Sequence, residues 1–307
     1  MRGRRWLILD FSHSERAPMP GMHMQQTLAA PAVVHGFGYY SGLDVRVEFR
    51  PAAVDAGITF VRTDLGPSAR IPVRSDLRVD VPRRTNLRLR GAEVAMVEHV
   101  LAALAGLHID NCEVHVDQAE MPGCDGSALA FVEAIQAAGI KSQDAPARTL
   151  AVTRAVRIEH GNCWIEAAPD PSGALRIEYR LDYQHDAVLG RQTASTVVTP
   201  DSFSRELAPC RTFLLASEAD QLRAAGLGQR VTSRDVLVFG EQGVIDNELR
   251  FANECARHKA LDVLGDLALT GCRVSGHIVA YRSGHRLNAA LAVRLLQQAG
   301  AGVALSA

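Results

Sequence analysis

Two apolar helical segments, each bearing a histidine and each followed by a strand, restrict this chain more than any other feature. His99-Val-Leu-Ala-Ala-Leu-Ala-Gly106 precedes the strand pattern that contains Cys112, and His258-Lys-Ala-Leu-Asp-Val-Leu-Gly265 precedes one beginning near Cys272. In both, the histidine stands seven residues before a glycine. Segments this apolar have to be buried. The correspondence points to an internal duplication in which two equivalent helices each present one histidine to a shared cleft.

Around these helices the pattern alternates between strand and helix. Val45, Val47 and Phe49, then Cys112, Val114 and Val116, then Leu175, Ile177, Tyr179, Leu181 and Tyr183 alternate as half-buried strands do, with one wet face. Helical spacing runs from Val94 through Val97, Leu101 and Leu104 to Gly106, and recurs over 127–139, 217–226, 251–267 and 287–300, with Ser217 and Asp220 forming a capping box. Several strands precede each long helix, so the expected fold class is α+β, with two similar two-layer sandwich domains rather than a parallel dinucleotide-binding sheet. A length of 307 residues suits two cores, and 47% hydrophobic residues suffice to fill them. Asp144 and Pro146 mark a boundary, giving an N-terminal extension at 1–24 and domains at 25–147 and 148–307.

Composition excludes several classes of partner. Thirty-three Lys and Arg against 34 Asp and Glu leave a net charge of −1, so no global field recruits nucleic acid or an anionic membrane. Six cysteines without a CxxC pair read as reduced thiols, which implies a cytoplasmic protein. Arg2, Arg4 and Arg5 precede Trp-Leu-Ile-Leu, but Asp10 breaks that run too early for a signal peptide. No stretch reaches the roughly 20 apolar residues of a transmembrane helix.

The second helix carries His258, Asp262 and Asp266 at i, i+4 and i+8, on one stripe of an otherwise apolar segment. His-x-x-x-Asp on successive turns suits two ligands of one zinc ion, which takes N and O donors and keeps a position open for water. A solvated stripe of His and Asp has the same spacing. The first helix offers Glu98 and His99 side by side, which fits a metal ligand next to a carboxylate that takes a proton from attacking water. A buried histidine capped by a carbonyl fits it too. Tyr281-Arg-Ser-Gly-His285 puts His285 in a loop or first helical turn, where Asp266 could keep it protonated to stabilise an oxyanion and protonate a leaving amine. Gly36 to Gly42 reads as a hairpin turn, lacking the lysine of a phosphate-binding loop, and Asp125 as a residue that bonds loop amides.

Together these runs resemble the zinc-dependent UDP-3-O-acyl-N-acetylglucosamine deacetylases of lipid A synthesis. The resemblance rests on Val97-Glu-His99 with Leu101-Ala-Ala-Leu-Ala-Gly106 and Ile109-Asp-Asn111, on Asp125-Gly-Ser127, on Arg211-Thr-Phe213, on Arg257-His-Lys259 with Leu261-Asp262 and Gly265-Asp266, and on Ser283-Gly-His285. It spans about residue 25 to the end. It implies two similar domains enclosing the active site between their helical layers. Zinc, with Fe2+ as an alternative, is then held by His99, His258 and Asp262, and Glu98 is the general base. His285, charged and oriented by Asp266, is the cationic histidine; Thr212 bonds the oxyanion; Lys259 and Phe213 contact substrate. The implied partner is a UDP-linked acylated amino sugar, and the implied state a monomer.

Departures from the family pattern surround that set. Tyr40 replaces a histidine in the first hairpin, and Gln229 and Arg230 are bulky and polar where small residues are expected beside a βαβ insertion that forms the acyl-chain passage. If both pointed inward, the passage would favour short or polar acyl groups. Two alternatives stand beside the deacetylase reading: a divergent metal-dependent deacetylase of another N-acetyl sugar, and a non-catalytic binding paralogue.

Overall fold

Strand alternation builds two sheets with one dry face each. In Asp44–Pro51, Val45, Val47 and Phe49 are buried, whereas Arg46 and Arg50 are exposed and both pair with Glu48 at 2.8 Å. The computed structural model describes residues 23–183 and 188–300. Most of the expected N-terminal extension, residues 1–22, lies outside the described residues, and Met24 already opens the strand Met24–Leu28.

In spatial order the first sheet is Ala32–Phe37, Asp44–Pro51, Cys112–Val116, Ile58–Arg62 and Arg70–Pro72. The second is Val156–His160, Cys163–Ala168, Arg273–Tyr281, Leu175–Asp182 and Arg191–Val198, with Thr149–Ala151 alongside Arg273–Tyr281 in parallel. Successive pairs run antiparallel, antiparallel, parallel, antiparallel in both sheets. The central strand comes last in each. One helix precedes it, Glu98–Gly106 or Glu254–Leu267, and another follows it, Leu129–Ala138 or His285–Gly300. The two halves thus share one strand order and one placement of helices, as the paired sequence segments lead one to expect.

Both histidine helices are buried nearly all round. Ala105 alone is not buried in the first, and Arg257 and Lys259 alone in the second. They pack on each other at Gly265, where an added Cβ would stand 3.0 Å from the carbonyl carbon of Glu98, 3.2 Å from its Cα and nearer still to its oxygen. A helix-interior glycine costs about 1 kcal/mol relative to alanine. Here it permits a backbone approach that no other residue allows.

Local details depart from the sequence expectations for identifiable reasons. The first helix does not begin near Val94, which ends the strand Ala92–Val94; Met96 takes a left-handed backbone (φ 59°), and the helix starts at Glu98. Ser217 and Asp220 form no capping box. The helix is Ala216–Ala224, and the Glu218 carboxylate accepts the Leu215 N–H at 3.0 Å. Residues 143–146 belong to the strand Ile140–Pro146, which pairs antiparallel with Met24–Leu28 before the chain enters the second sheet at Thr149. Arg273 ties the halves, donating to Asp110 at 2.9 Å and to the carbonyls of Met24 and His108.

Each half also carries an addition. The first has a three-stranded sheet of Arg78–Val79, Asn86–Leu89 and Ala92–Val94, and the second has the implied βαβ unit, with Phe213–Leu215 and Leu237–Gly240 parallel and Ala216–Ala224 between them. Among the described residues no helix is long and apolar enough to cross a membrane.

The close helix approach sets an expectation for Gly265→Ala. Its methyl group overlaps backbone rather than a flexible side chain, so the helices must part, and stability should fall by about 1–3 kcal/mol or more in urea unfolding. A melting temperature equal to that of the unmodified protein would show that the crossing yields freely.

Candidate active site

The late start of the first helix fixes what its first turn presents. Glu98 and His99 occupy that turn, both buried, with Glu98 at the positive end of the helix dipole. Facing them, His258, Asp262 and Asp266 line successive turns of Glu254–Leu267, and all three are buried. His285 is the first residue of the last helix and is buried as well. A solvated stripe is thereby excluded.

His99, His258 and Asp262 converge so closely that their donor atoms all lie within 4.8 Å of one another. Asp262 Oδ1 is 3.7 Å from His99 Nε2 and 3.5 Å from His258 Nε2. Donors about 2.0–2.1 Å from a tetrahedral ion stand roughly 3.3–3.5 Å apart, so these positions need little adjustment to hold one. The surroundings fit the same purpose. His258 Nδ1 lies 3.1 Å from the Cys210 carbonyl and donates to it, leaving the Nε2 lone pair for the cleft. Asp262 Oδ1 is buried without a hydrogen-bond partner among the described residues, as is His99 Nδ1. Burial, then the neighbouring His258, pushes His99 down to about 3, and burial lowers His258 too, so both imidazoles are neutral. Burial alone would raise Asp262, but Lys259, 2.6 Å from its other oxygen, and the histidines hold it well below the usual carboxylate range.

A second group of contacts carries a proton system. Asp266 accepts from Thr85 Oγ1 (2.5 Å), Asn288 Nδ2 (2.9 Å) and His285 Nδ1 (2.8 Å). Burial opposes charge on His285, but Asp266 and then Glu98 raise it to about 9. Its Nε2 faces the cleft, 3.9 Å from Glu98 Oε1 and 4.0 Å from Asp262 Oδ2. Burial raises Glu98 to about 7 against the pull of His285, while the Thr85 N–H holds Oε2 at 2.9 Å. One threonine thus fixes both carboxylates. The loop before His285 is pinned in turn, since Tyr179 donates to the Ser283 carbonyl at 2.5 Å and the Ser283 hydroxyl to Asn288 at 2.6 Å.

The cluster stands in a cavity of about 1230 Å3, which Thr212 and Phe213 also line. Arg211 anchors that pair: it is buried and forks onto Glu254, at the start of the ligand-bearing helix, at 2.8 and 3.1 Å. Leu214, Leu215, Leu222, Leu227, Val231 and Val238 form an apolar wall. Tyr40 lines the cavity too, with the Arg84 guanidinium 3.8 Å over its ring. Gln229 and Arg230 do not line it. Both are exposed: Gln229 donates to the Arg223 carbonyl and Arg230 to Gly42 and Asp44, so neither narrows the passage. Asp125 bonds Ser127 and Arg250, in keeping with a loop-shaping part.

A family model described as UDP-3-O-acyl N-acetylglycosamine deacetylase matches residues 25–297. The chain belongs to this deacetylase family. Among its relatives, the UDP-3-O-acyl-N-acetylglucosamine deacetylase of Anaeromyxobacter sp. (strain Fw109-5) is 41% identical over 277 residues, covering 90% of each chain. That of Thermosynechococcus vestitus is 40% identical over 274 residues, 89% of this chain and 94% of the relative. The like-named protein of Myxococcus xanthus is 37% identical over 270 residues, covering 88% and 85%.

Sequence reading missed several groups that hold this deacetylase site in place. Thr85, Asn288 and the Cys210 carbonyl lie far along the chain from the residues they hold. No spacing rule points to them. Tyr179 shows in the sequence as a strand residue, with nothing to mark its hydroxyl.

The Asp266–His285 pair makes a pH dependence. In the unfolded chain His285 returns to its ordinary 6.5 or so; a folded value near 9 therefore adds stability below the unfolded value that is lost as pH rises through about 9. In metal-free Asp266→Asn the largest charge opposing burial is gone, so His285 should fall well below about 9 and this part of the pH dependence should shrink. An NMR titration that still finds His285 near 9 would contradict it.

Proposed function

We propose that the protein removes the acetyl group from a UDP-linked, 3-O-acylated N-acetylglucosamine, releasing acetate and a free amine in lipid A synthesis. The observation that carries this reading is the convergence of three neutral or anionic donors, a carboxylate and a cationic histidine at the head of a cavity with an apolar wall. Zinc or Fe2+ at His99, His258 and Asp262 would supply a Lewis acid that polarises the amide carbonyl and the attacking water.

The chain's own groups account for the proton movements. Glu98, ionised and held at Oε2 by Thr85, accepts at Oε1 the proton of the water that attacks the acetyl carbonyl. His285 keeps its Nε2 proton because Asp266 holds Nδ1, and it gives that proton to the departing nitrogen. Thr212, kept at the cavity edge by Arg211, hydrogen-bonds the oxygen on which negative charge develops. Lys259 keeps Asp262 ionised and has ammonium protons left for substrate. Phe213 packs edge-on against Tyr183 and Phe239 and offers the sugar an apolar wall. A binding module needs neither base nor acid, which argues against a non-catalytic paralogue.

The same reading has the enzyme act as a monomer in the cytoplasm, and six unpaired cysteines accord with a reducing compartment. It also divides the chain into an extension at 1–24 and units at 25–147 and 148–307, in line with the repeated strand order.

Acetate release from the UDP-sugar by zinc-loaded protein tests the proposal directly, with N-acetyl sugars lacking the acyl chain as the contrast. Glu98→Ala should lower kcat by about 10²–10⁴ while retaining about one metal per chain, whereas His99→Ala should lose the metal. Near-normal turnover in Glu98→Ala would remove the mechanism. Activity should rise as Glu98 loses its proton and fall as His285 loses its own. A dication at the adjacent ligands draws both downward, so the limbs should lie at or below about 7 and about 9.

The outward course of Gln229 and Arg230 gives the acyl chain an apolar wall. Each buried methylene contributes up to about 0.8 kcal/mol, so kcat/KM should climb with acyl length until the wall is filled. A preference for short or polar acyl groups would contradict that wall.

A further inference from the structure

Four arginines line the cavity: Arg83, Arg223, Arg282 and Arg286. Two of them hold left-handed backbones, Arg83 at φ 66° and Arg282 at φ 52°. Non-glycine residues rarely adopt that conformation, and it concentrates at ligand-binding sites. Arg282 pairs with no carboxylate among the described residues. Arg83 does: from the turn before Asn86–Leu89 its Nη2 reaches Glu218 Oε1 at 2.9 Å. Glu218 sits in the first turn of Ala216–Ala224 and also lines the cavity, and its other oxygen accepts the Leu215 N–H. The ion pair therefore joins the addition of the first half to the βαβ unit of the second, beside the site. Its side chains are 44% and 29% exposed.

We propose that Arg83 is a contact for the substrate's diphosphate and that Glu218 masks it in the free protein. The proposal rests on the UDP-sugar reading above. An Arg–carboxylate pair so open to water is weak, favouring the closed arrangement by about two- to fivefold. A diphosphate offers the same guanidinium two or more anionic oxygens in a forked geometry and displaces the single carboxylate. Arg282, which pairs with no carboxylate among the described residues, adds to the attraction. Substrate entry then exchanges one partner of Arg83 for another and frees the helix Ala216–Ala224 from the turn opposite.

The two residues should act with opposite signs. In Glu218→Gln the side-chain carbonyl can still accept the Leu215 N–H, but the mask is gone. The Kd for UDP, measured by calorimetry on the zinc-loaded full chain, and the KM for the UDP-sugar should both fall by about three- to sixfold. Arg83→Gln should raise both by about tenfold, and Arg83→Lys should recover part of the loss. Thermal melting of each variant checks that it is folded. A purely structural tie predicts weaker binding in both variants, and that result, or no change in either, overturns the masking while leaving the deacetylase reading intact. Unmodified protein that neither binds UDP nor releases acetate from the UDP-sugar would overturn the reading and this proposal together.

Discussion

The approach of two helix backbones at Gly265 is the contact on which the remaining arrangement depends. Because a glycine there lets the second helix lie against the Glu98 carbonyl, Asp262 comes to stand 3.7 Å from His99, and Asp266 and Glu98 come to share Thr85. The distance from His99 to Asp262 follows from that separation. Moving the helices apart by the breadth of a methyl group would open the donor triangle and lengthen the reach from His285 to Glu98. The surrounding sheets are broad enough to hold this crossing rigid, since each histidine helix is covered on almost all sides.

Charge burial of this density is expensive and is tolerated only where each charge has its partner. Lys259 answers Asp262, and His285 answers Asp266, whose remaining lone pairs go to Thr85 and Asn288. Glu98 is the exception. It has one firm hydrogen bond, from Thr85, and a distant histidine, which is why burial carries it up to about 7. That leaves it close to the proton exchange that a general base performs near neutrality. Neighbouring carboxylates a few ångströms apart thus behave differently because their partners differ.

Much of this was legible in the sequence, for physical reasons. The spacing of His258, Asp262 and Asp266 on an apolar helix specified one face, and the matching His99 segment specified a second helix of the same kind. Strand alternation gave the layers. The beginning of the first helix was not legible, because apolar Val94 and Val97 continue the helical period while the backbone at Met96 breaks it. Whether Gln229 and Arg230 point into the passage was not legible either, because their partners, Arg223, Gly42 and Asp44, are set by tertiary contacts that spacing does not reveal. The same holds for Thr85, whose two hydrogen bonds join residues 13 and 181 positions away.

The shared strand order has a consequence for how labour is divided. Superposing the histidine segments residue for residue sets Glu98 opposite Arg257, Ala103 opposite Asp262 and Leu107 opposite Asp266. The scaffold is nearly symmetric, but its chemistry is not. One half supplies Glu98 and a single buried histidine; the other supplies His258, Asp262, Asp266 and His285. Neither half alone brings His99, His258 and Asp262 together, so the function proposed above needs both histidine helices held at the seam.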